Sequence, residues 1–143
     1  MTAIDFYSHV DDPLRTAAKL VVKAYRQHGS VRVLTPDAAA SAALDRLLWQ
    51  EPQVAFIPHC RLASPFAGET PVLIDESLEH AGPAGVLINL HAEPPPFFSR
   101  FERLAEIVGA RDEDVIAGRT RFRFYRERGY ELRTHNLSLS SRD

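Results

Sequence analysis

Short apolar runs along this chain alternate with longer segments in which apolar residues recur every three or four positions. Runs of the first kind predict β-strands, and segments of the second kind predict amphipathic helices. The first five elements are predicted, in the order strand, helix, strand, helix, strand, at residues 3–8, 13–28, 31–36, 38–49 and 55–57. This alternation favours an α/β fold with a mostly parallel sheet and helices on both of its faces.

The second half of the chain continues the pattern with strands at 71–75 and 85–90. The run at 85–90 is almost entirely apolar, which is typical of a strand covered on both faces. After three prolines, helical spacing at 97–108 predicts another helix, built on Phe97, Phe98, Phe101, Leu104, Ala105 and Val108. A final helix is predicted from residue 112 to about 128, and 130–134 alternates like a last strand.

The composition fits one compact domain over residues 1–143, because 45% of the residues are hydrophobic and no linker or repeat interrupts the chain. No apolar run approaches the roughly 20 residues that a membrane-spanning helix needs. The single cysteine, Cys60, cannot form an internal disulfide, which favours the cytoplasm. His59 and Cys60 have no further histidine or cysteine at metal-binding spacing, so we expect no metal site.

The loop after the first strand argues against a nucleotide-dependent enzyme. It reads SHVDDP, with no glycine to let the backbone approach a phosphate and with two aspartates that would repel one. Cys60 beside His59 is a poor nucleophile–base pair, because neighbouring residues on a strand point to opposite faces. We therefore expect a non-catalytic chain without a cofactor.

Positive charge is concentrated near the end of the chain. Residues 119–133 read RTRFRFYRERGYELR and hold six arginines and four aromatic residues. Residues 115–135 carry six arginines against two glutamates, a local charge of +4, whereas the whole chain carries −2. This asymmetry favours an anionic partner at this end of the sequence.

The helical wheel groups part of this charge on one side. At about 100° per residue, Arg119, Arg123 and Arg126 fall within about 60° of one another, with Phe122 beside them. Arg121 falls on the opposite side of the helix. The side with three arginines is thus a basic stripe with one ring.

Three interpretations of the stripe stay open on this reasoning. The arginines are solvated while the rings pack inward, or they bind the phosphates of single-stranded nucleic acid, or they bind an acidic peptide with an apolar anchor. A pI of about 6.3 and the net negative charge of the rest of the chain favour a short acidic peptide over a long polyanion.

A set of segments, in order and at similar spacing, resembles the chi subunit of bacterial DNA polymerase III. They are FYSH, AAKLVVKAYRQHGSVRVL, LDRLLWQEPQVAFIPH, PVLI, VLINL, FERLAEIV and RTRFRFYRERGYELRTHNL. The resemblance covers nearly the whole chain and implies a Rossmann-like three-layer fold without enzymatic activity. It also implies an adapter of the clamp-loader complex that contacts DNA only indirectly, through two protein partners.

The first implied partner is the acidic C-terminal tail of single-stranded-DNA-binding protein. Arg119, Phe122 and Arg123 match the family's tail-binding positions, and Arg126 joins them by helical geometry. The family's site tends to mix lysine with arginine and to use tyrosine. This chain has arginine and phenylalanine instead, which keeps the charge and the stacking surface but loses a hydroxyl.

The second implied partner is the psi subunit, which connects chi to the clamp loader. The matching positions are Trp49, Phe56, Ile57 and Pro58. Trp49 and Phe56 also fit a hydrophobic core, so the sequence leaves open whether they are interface or core.

Overall fold

The computed structural model describes residues 1–50, 57–79 and 85–140. The described strands are β1 (Ala3–Val10), β2 (Val31–Leu34), β3 (His59–Arg61), β4 (Val72–Asp75), β5 (Val86–Asn89), β6 (Arg103–Gly109) and β7 (Leu132–Asn136). The described helices are α1 (Pro13–His28), α2 (Ala38–Gln50), α3 (Asp112–Glu127) and the short α4 (Leu137–Ser140).

The seven strands form one sheet in the order β3-β4-β2-β5-β6-β1-β7, and every neighbouring pair is parallel. Parallel strands need crossover connections, and α1, α2 and α3 lie in those from β1 to β2, from β2 to β3 and from β6 to β7. The prediction of an α/β fold with a mostly parallel sheet is confirmed.

Two hydrophobic clusters lie on opposite faces of the sheet. On the first face, α1 and α2 cover alternate residues of the central strands, including Val33, Ile88 and Ile107. On the second face, α3 covers the residues between them, including Leu87 and Leu104. Helices therefore lie on both faces, and the predicted three-layer sandwich is confirmed. We call these the α1 face and the α3 face.

The helix predicted over 97–108 is wrong. A short 3₁₀ turn, Phe98–Arg100, is followed by strand β6, which lies between β5 and β1 in the sheet. A strand at that position is buried on both faces, so its side chains are apolar without alternation, and such a run also fits helical spacing. Leu104 packs on the α3 face, while Ile107 packs on the α1 face.

The third strand also differs from its prediction at 55–57. The structure has a strand at His59–Arg61, after Pro58, and Ile57 lies in a bend before it. Residues 55 and 56 lie outside the described residues. Proline has no N–H to donate to a strand ladder, so pairing begins only beyond Pro58.

The chain leaves the sheet in opposite directions from two neighbouring strands. β1 leads into α1 on one face, and the adjacent β6 leads into α3 on the other. Within the described residues, no helix combines the length and the apolar character that crossing a membrane requires.

Candidate functional site on helix α3

Helix α3 is stabilised at both ends by its own sequence. Asp112, Glu113 and Asp114 occupy its first turn, where negative charge suits the helix dipole. At the other end Gly129 adopts a left-handed conformation with φ 84°, and the chain turns back toward β7. The helix therefore spans the whole segment that the wheel analysis assumed.

The inward face of α3 is fixed by a buried polar cluster. Glu106 of β6 is fully buried and accepts hydrogen bonds from Arg121 Nε at 2.8 Å and from the Tyr125 hydroxyl at 2.5 Å. Asn89 at the end of β5 donates to the same carboxylate at 2.8 Å. Arg121 also donates to the carbonyl of Ala92 at 2.9 Å. These bonds set the rotation of α3 about its own axis.

Burial dominates the titration of this cluster. It raises the pKa of the Glu106 carboxyl, while Arg121, Tyr125 and Asn89 act in the opposite direction. Burial and the neighbouring Glu106 also raise the pKa of Tyr125 far above its ordinary value, so the hydroxyl stays protonated and remains a donor. The cluster is a structural anchor between helix and sheet.

The outward face of α3 carries the predicted stripe. Arg119, Arg123 and Arg126 are exposed, and none of them forms an ion pair or a side-chain hydrogen bond with the described part of the chain. Phe122 is partly buried, with its ring 5.2 Å from that of Phe6 in an edge-on contact. The Arg126 guanidinium lies 5.8 Å from the Phe122 ring centre. We call these four residues the arginine stripe.

The remaining arginines of residues 119–133 are engaged within the fold. Arg121 is buried beside Glu106. Arg128 lies 3.5 Å from the ring centre of Phe124 and donates to its carbonyl. Arg133 pairs with Asp5 of β1 at 3.1 Å. On helix α3 itself, the arginines without an ion pair among the described residues are therefore those of the arginine stripe.

The second predicted surface lies at the opposite edge of the sheet. Trp49, at the end of α2, is 58% exposed, and its ring centre is 4.6 Å from that of His59 on edge strand β3. Pro58 is exposed, whereas Ile57 is 8% exposed and packs in the core of the α1 face. Phe56 lies outside the described residues. The structure thus brings an exposed tryptophan and an exposed proline to this edge.

Comparison with known proteins decides the family. The family model described as "DNA polymerase III chi subunit, HolC" matches residues 1–133 of the chain. The chain belongs to the chi family.

Three relatives of this chi-family chain are described as "DNA polymerase III subunit chi". The relative from Pseudomonas aeruginosa is 40% identical over 141 residues, which cover 96% of this chain and 98% of the relative. Those from Haemophilus influenzae and Escherichia coli K12 are 26% and 25% identical, covering 85% and 93% of this chain and 85% and 89% of the relatives. The chain is therefore an accessory subunit of a DNA polymerase that acts in DNA replication.

The carboxyl ends of the strands, where many α/β proteins bind ligands, have an acidic lining in this chi-family chain. A cleft of about 620 Å³ lies there between the starts of α1 and α3. Its lining includes four acidic residues, namely Asp11, Asp12, Glu113 and Asp114. Arg111 pairs with Glu113 at 3.1 Å and with Asp114 at 3.2 Å, so it offers little charge to a phosphate. In the described ranges, no group of three or more metal-ligating side chains converges.

Sequence reasoning missed a second charged cluster, on the α1 face. Asp5 of β1 is 7% exposed and accepts from Arg103, Arg133 and His135. Burial raises the pKa of Asp5, but the bond from His135 and the two arginines outweigh burial and hold that pKa below its ordinary value. The signal was an aspartate inside the apolar run AIDFYS, but its partners come from strands about 100 and 130 residues away.

Proposed function

We propose that this chi-family chain is a replicase adapter. Its arginine stripe binds the acidic C-terminal tail of single-stranded-DNA-binding protein, and its Trp49 edge binds the psi subunit of the clamp-loader complex. The adapter itself catalyses no reaction and acts in the cytoplasm, where it tethers the polymerase to coated template.

The observation that carries the tail-binding proposal is the isolation of Arg119, Arg123 and Arg126. Three exposed guanidinium groups on one helix face, without carboxylate partners among the described residues, leave their hydrogen-bond donors to an external anion. Arginine binds carboxylates through two parallel hydrogen bonds, which suits aspartates and a terminal carboxylate. Phe122 provides an apolar wall for an aromatic or aliphatic anchor.

The expected affinity follows from these contacts. Each charge-assisted hydrogen bond contributes about 1.5–3 kcal/mol before association costs, and burial of one anchor side chain contributes about 2 kcal/mol. After the loss of translational and conformational freedom, a micromolar Kd is expected, and it weakens as salt screens the charges.

The psi surface is proposed on narrower grounds. A tryptophan that is 58% exposed in a protein of this size is a good anchor for a partner, because aromatic residues contribute heavily to interfaces. Pro58 adds exposed apolar area directly before His59, whose ring contacts Trp49. Phe56 stays a predicted contact, while Ile57 supports the surface from the core rather than touching a partner.

The first test is fluorescence anisotropy with a labelled peptide matching the last residues of single-stranded-DNA-binding protein from the same organism. We expect micromolar binding to the wild-type chain and a loss of at least about tenfold in Arg123→Glu, because a repulsive charge replaces an attractive one. Arg46→Glu on α2 is the matched control, since it reverses an exposed arginine far from α3 and should bind the peptide normally.

Two results would contradict this proposal. Equal affinity of the Arg123→Glu variant and the wild-type chain for the peptide would show that the peptide does not bind at the arginine stripe. Binding of oligo-dT through Arg123, without binding of the peptide, would assign the stripe to direct single-stranded nucleic-acid binding instead.

A further inference from the structure

The α1 face of the sheet is uncovered near one edge. Helix α1 packs on β2, β5 and β6, and the four-residue α4 packs on β1. Near this edge, among the described residues, Arg133 and His135 of β7 are exposed beside the buried Asp5 of β1, which leaves this area partly open. Parallel sheets normally bury both faces, so an open area with charged side chains is an exception that calls for a reason.

The open area is built around Asp5. Its carboxylate accepts from Arg103 at 2.9 Å, from Arg133 at 3.1 Å and from His135 at 3.0 Å. Arg103 comes from β6 and the other two from β7, in register with Asp5 and Tyr7 of β1. The buried carboxylate therefore holds both guanidinium groups in fixed positions at the surface.

The positive charge here exceeds what Asp5 neutralises. Lys23, exposed on α1, lines the same small hollow as Asp5 and Arg103. Three cations around one carboxylate leave a local charge of +2, in a chain whose total is −2. The side chains of Arg103 and Arg133 are 37% and 60% exposed, so both remain accessible to a ligand.

A flat ring surface lies next to these cations. The rings of Tyr7 and His135 are stacked, with centres 4.7 Å apart and planes 16° from parallel. Because β7 is the edge strand, no other described strand stands beside the outer face of the His135 ring. The His135 side chain is 44% exposed. We call Lys23, Arg103, Arg133 and His135 the basic shelf.

We propose that the basic shelf binds single-stranded DNA directly, with backbone phosphates on Lys23, Arg103 and Arg133 and a base stacked on the outer face of His135. Cations that follow a strand's backbone, together with rings that stack on its bases, are the general means by which proteins hold single strands. The shelf lies on the opposite face of the sheet from the arginine stripe, so the two sites are independent.

The ring distinguishes this ligand from an acidic peptide. Carboxylates would pair with the arginines but would leave the exposed face of His135 without a partner, whereas a nucleotide uses both. Duplex DNA keeps its bases inside and offers none for stacking. The shelf is also short: toward the carboxyl end of β1, Asp12 pairs with Arg15 at 3.6 Å and the local charge falls. Only a few phosphates can be bound, so the contact is weak.

The test is anisotropy of labelled oligo-dT of about 12 nucleotides at low salt, with the full chain. We expect the logarithm of the binding constant to fall with the logarithm of salt concentration, with a slope of about −1.4, because the local charge neutralises about two phosphates of a single strand. Lys23→Glu/Arg133→Glu should weaken it at least about tenfold, and His135→Ala about fivefold. Arg46→Glu, which reverses an exposed charge on α2, is the control for a charge reversal elsewhere on the surface. Circular dichroism shows whether each variant is folded.

Each outcome decides the proposal. Absence of oligo-dT binding at low salt, or equal affinity in Lys23→Glu/Arg133→Glu and wild type, would overturn it. The proposal would also be overturned if Arg123→Glu lost oligo-dT binding while Lys23→Glu/Arg133→Glu retained it, because the DNA would then bind at α3. If His135→Ala has no effect and inorganic phosphate competes as well as thymidine monophosphate, the shelf is an anion site without a base contact, and the single-strand assignment is wrong.

Discussion

At the scale of single residues, two arginines two positions apart on α3 have opposite environments. Arg121 is 3% exposed and bonded to Glu106, while Arg123 is exposed and unpaired among the described residues. The helical wheel separates the two, because they differ by about 200° around the helix. The wheel does not show which of the two arginines is buried, because that depends on which of them has a buried carboxylate as its partner. That carboxylate, Glu106, was hidden in a segment predicted as helix.

The pair permits a matched comparison of stability. We expect Arg121→Ala to lower the free energy of unfolding by about 3–5 kcal/mol, because it leaves the Glu106 carboxylate buried without its ion-pair partner. Arg123→Ala, the same change on the exposed side of the same helix, should stay within about 0.5 kcal/mol of wild type. Urea unfolding followed by circular dichroism measures both. A loss below about 1 kcal/mol in Arg121→Ala would mean that the buried cluster is not an anchor.

At the scale of elements, periodicity predicted α1, α2 and α3 well and failed at β6. Helices α1 and α3 each have an exposed polar side, so the pattern of one buried face is visible in the sequence. Strand β6 has neighbours in the sheet on both sides and helices above and below, so its apolar run carries no period that identifies it. Its identity depends on the pairing with β1 and β5, which local sequence does not contain.

The contact between α3 and β6 requires a glycine. A Cβ built on Gly118 would lie 2.7 Å and 2.8 Å from the two Cγ atoms of Val108, which is buried. Gly118→Ala gains about 1 kcal/mol in helix propensity but forces these elements apart, at a cost of about 1–3 kcal/mol. We expect a lower Tm in thermal unfolding. Adding Val108→Ala should relieve the clash. A double variant that loses more free energy of unfolding than the two single variants lose together would contradict this explanation.

At the scale of the whole molecule, the two proposed protein-binding surfaces lie at opposite edges of one sheet. Trp49 contacts edge strand β3, and the arginine stripe lies above β1, next to edge strand β7. Six strand spacings of about 4.8 Å put these edges about 29 Å apart. The sequence predicted the residues of each surface, but their separation follows from the strand order, which only the assembled sheet reveals.

This separation predicts that the two partners bind without competition. Saturating the chain with psi should change the Kd of the tail peptide by less than about twofold, because no residue is shared and the charges are screened over that distance. Calorimetric titration of the peptide into the free chain and into the complex measures both values. Displacement of either partner by the other would show that the surfaces overlap or that binding rearranges the sheet.

The position of β1 in the sheet also shapes how the protein is made. Its described neighbours, β6 and β7, come late in the chain, and Ala3 stands 100 residues before its partner Arg103. At about 5–20 residues per second, a ribosome needs about 5–20 s to deliver that partner. During this interval the strand that bears Ile4 and Phe6 has neither of its final neighbours. This strand is thus synthesised well before its neighbours and remains unpaired until they follow.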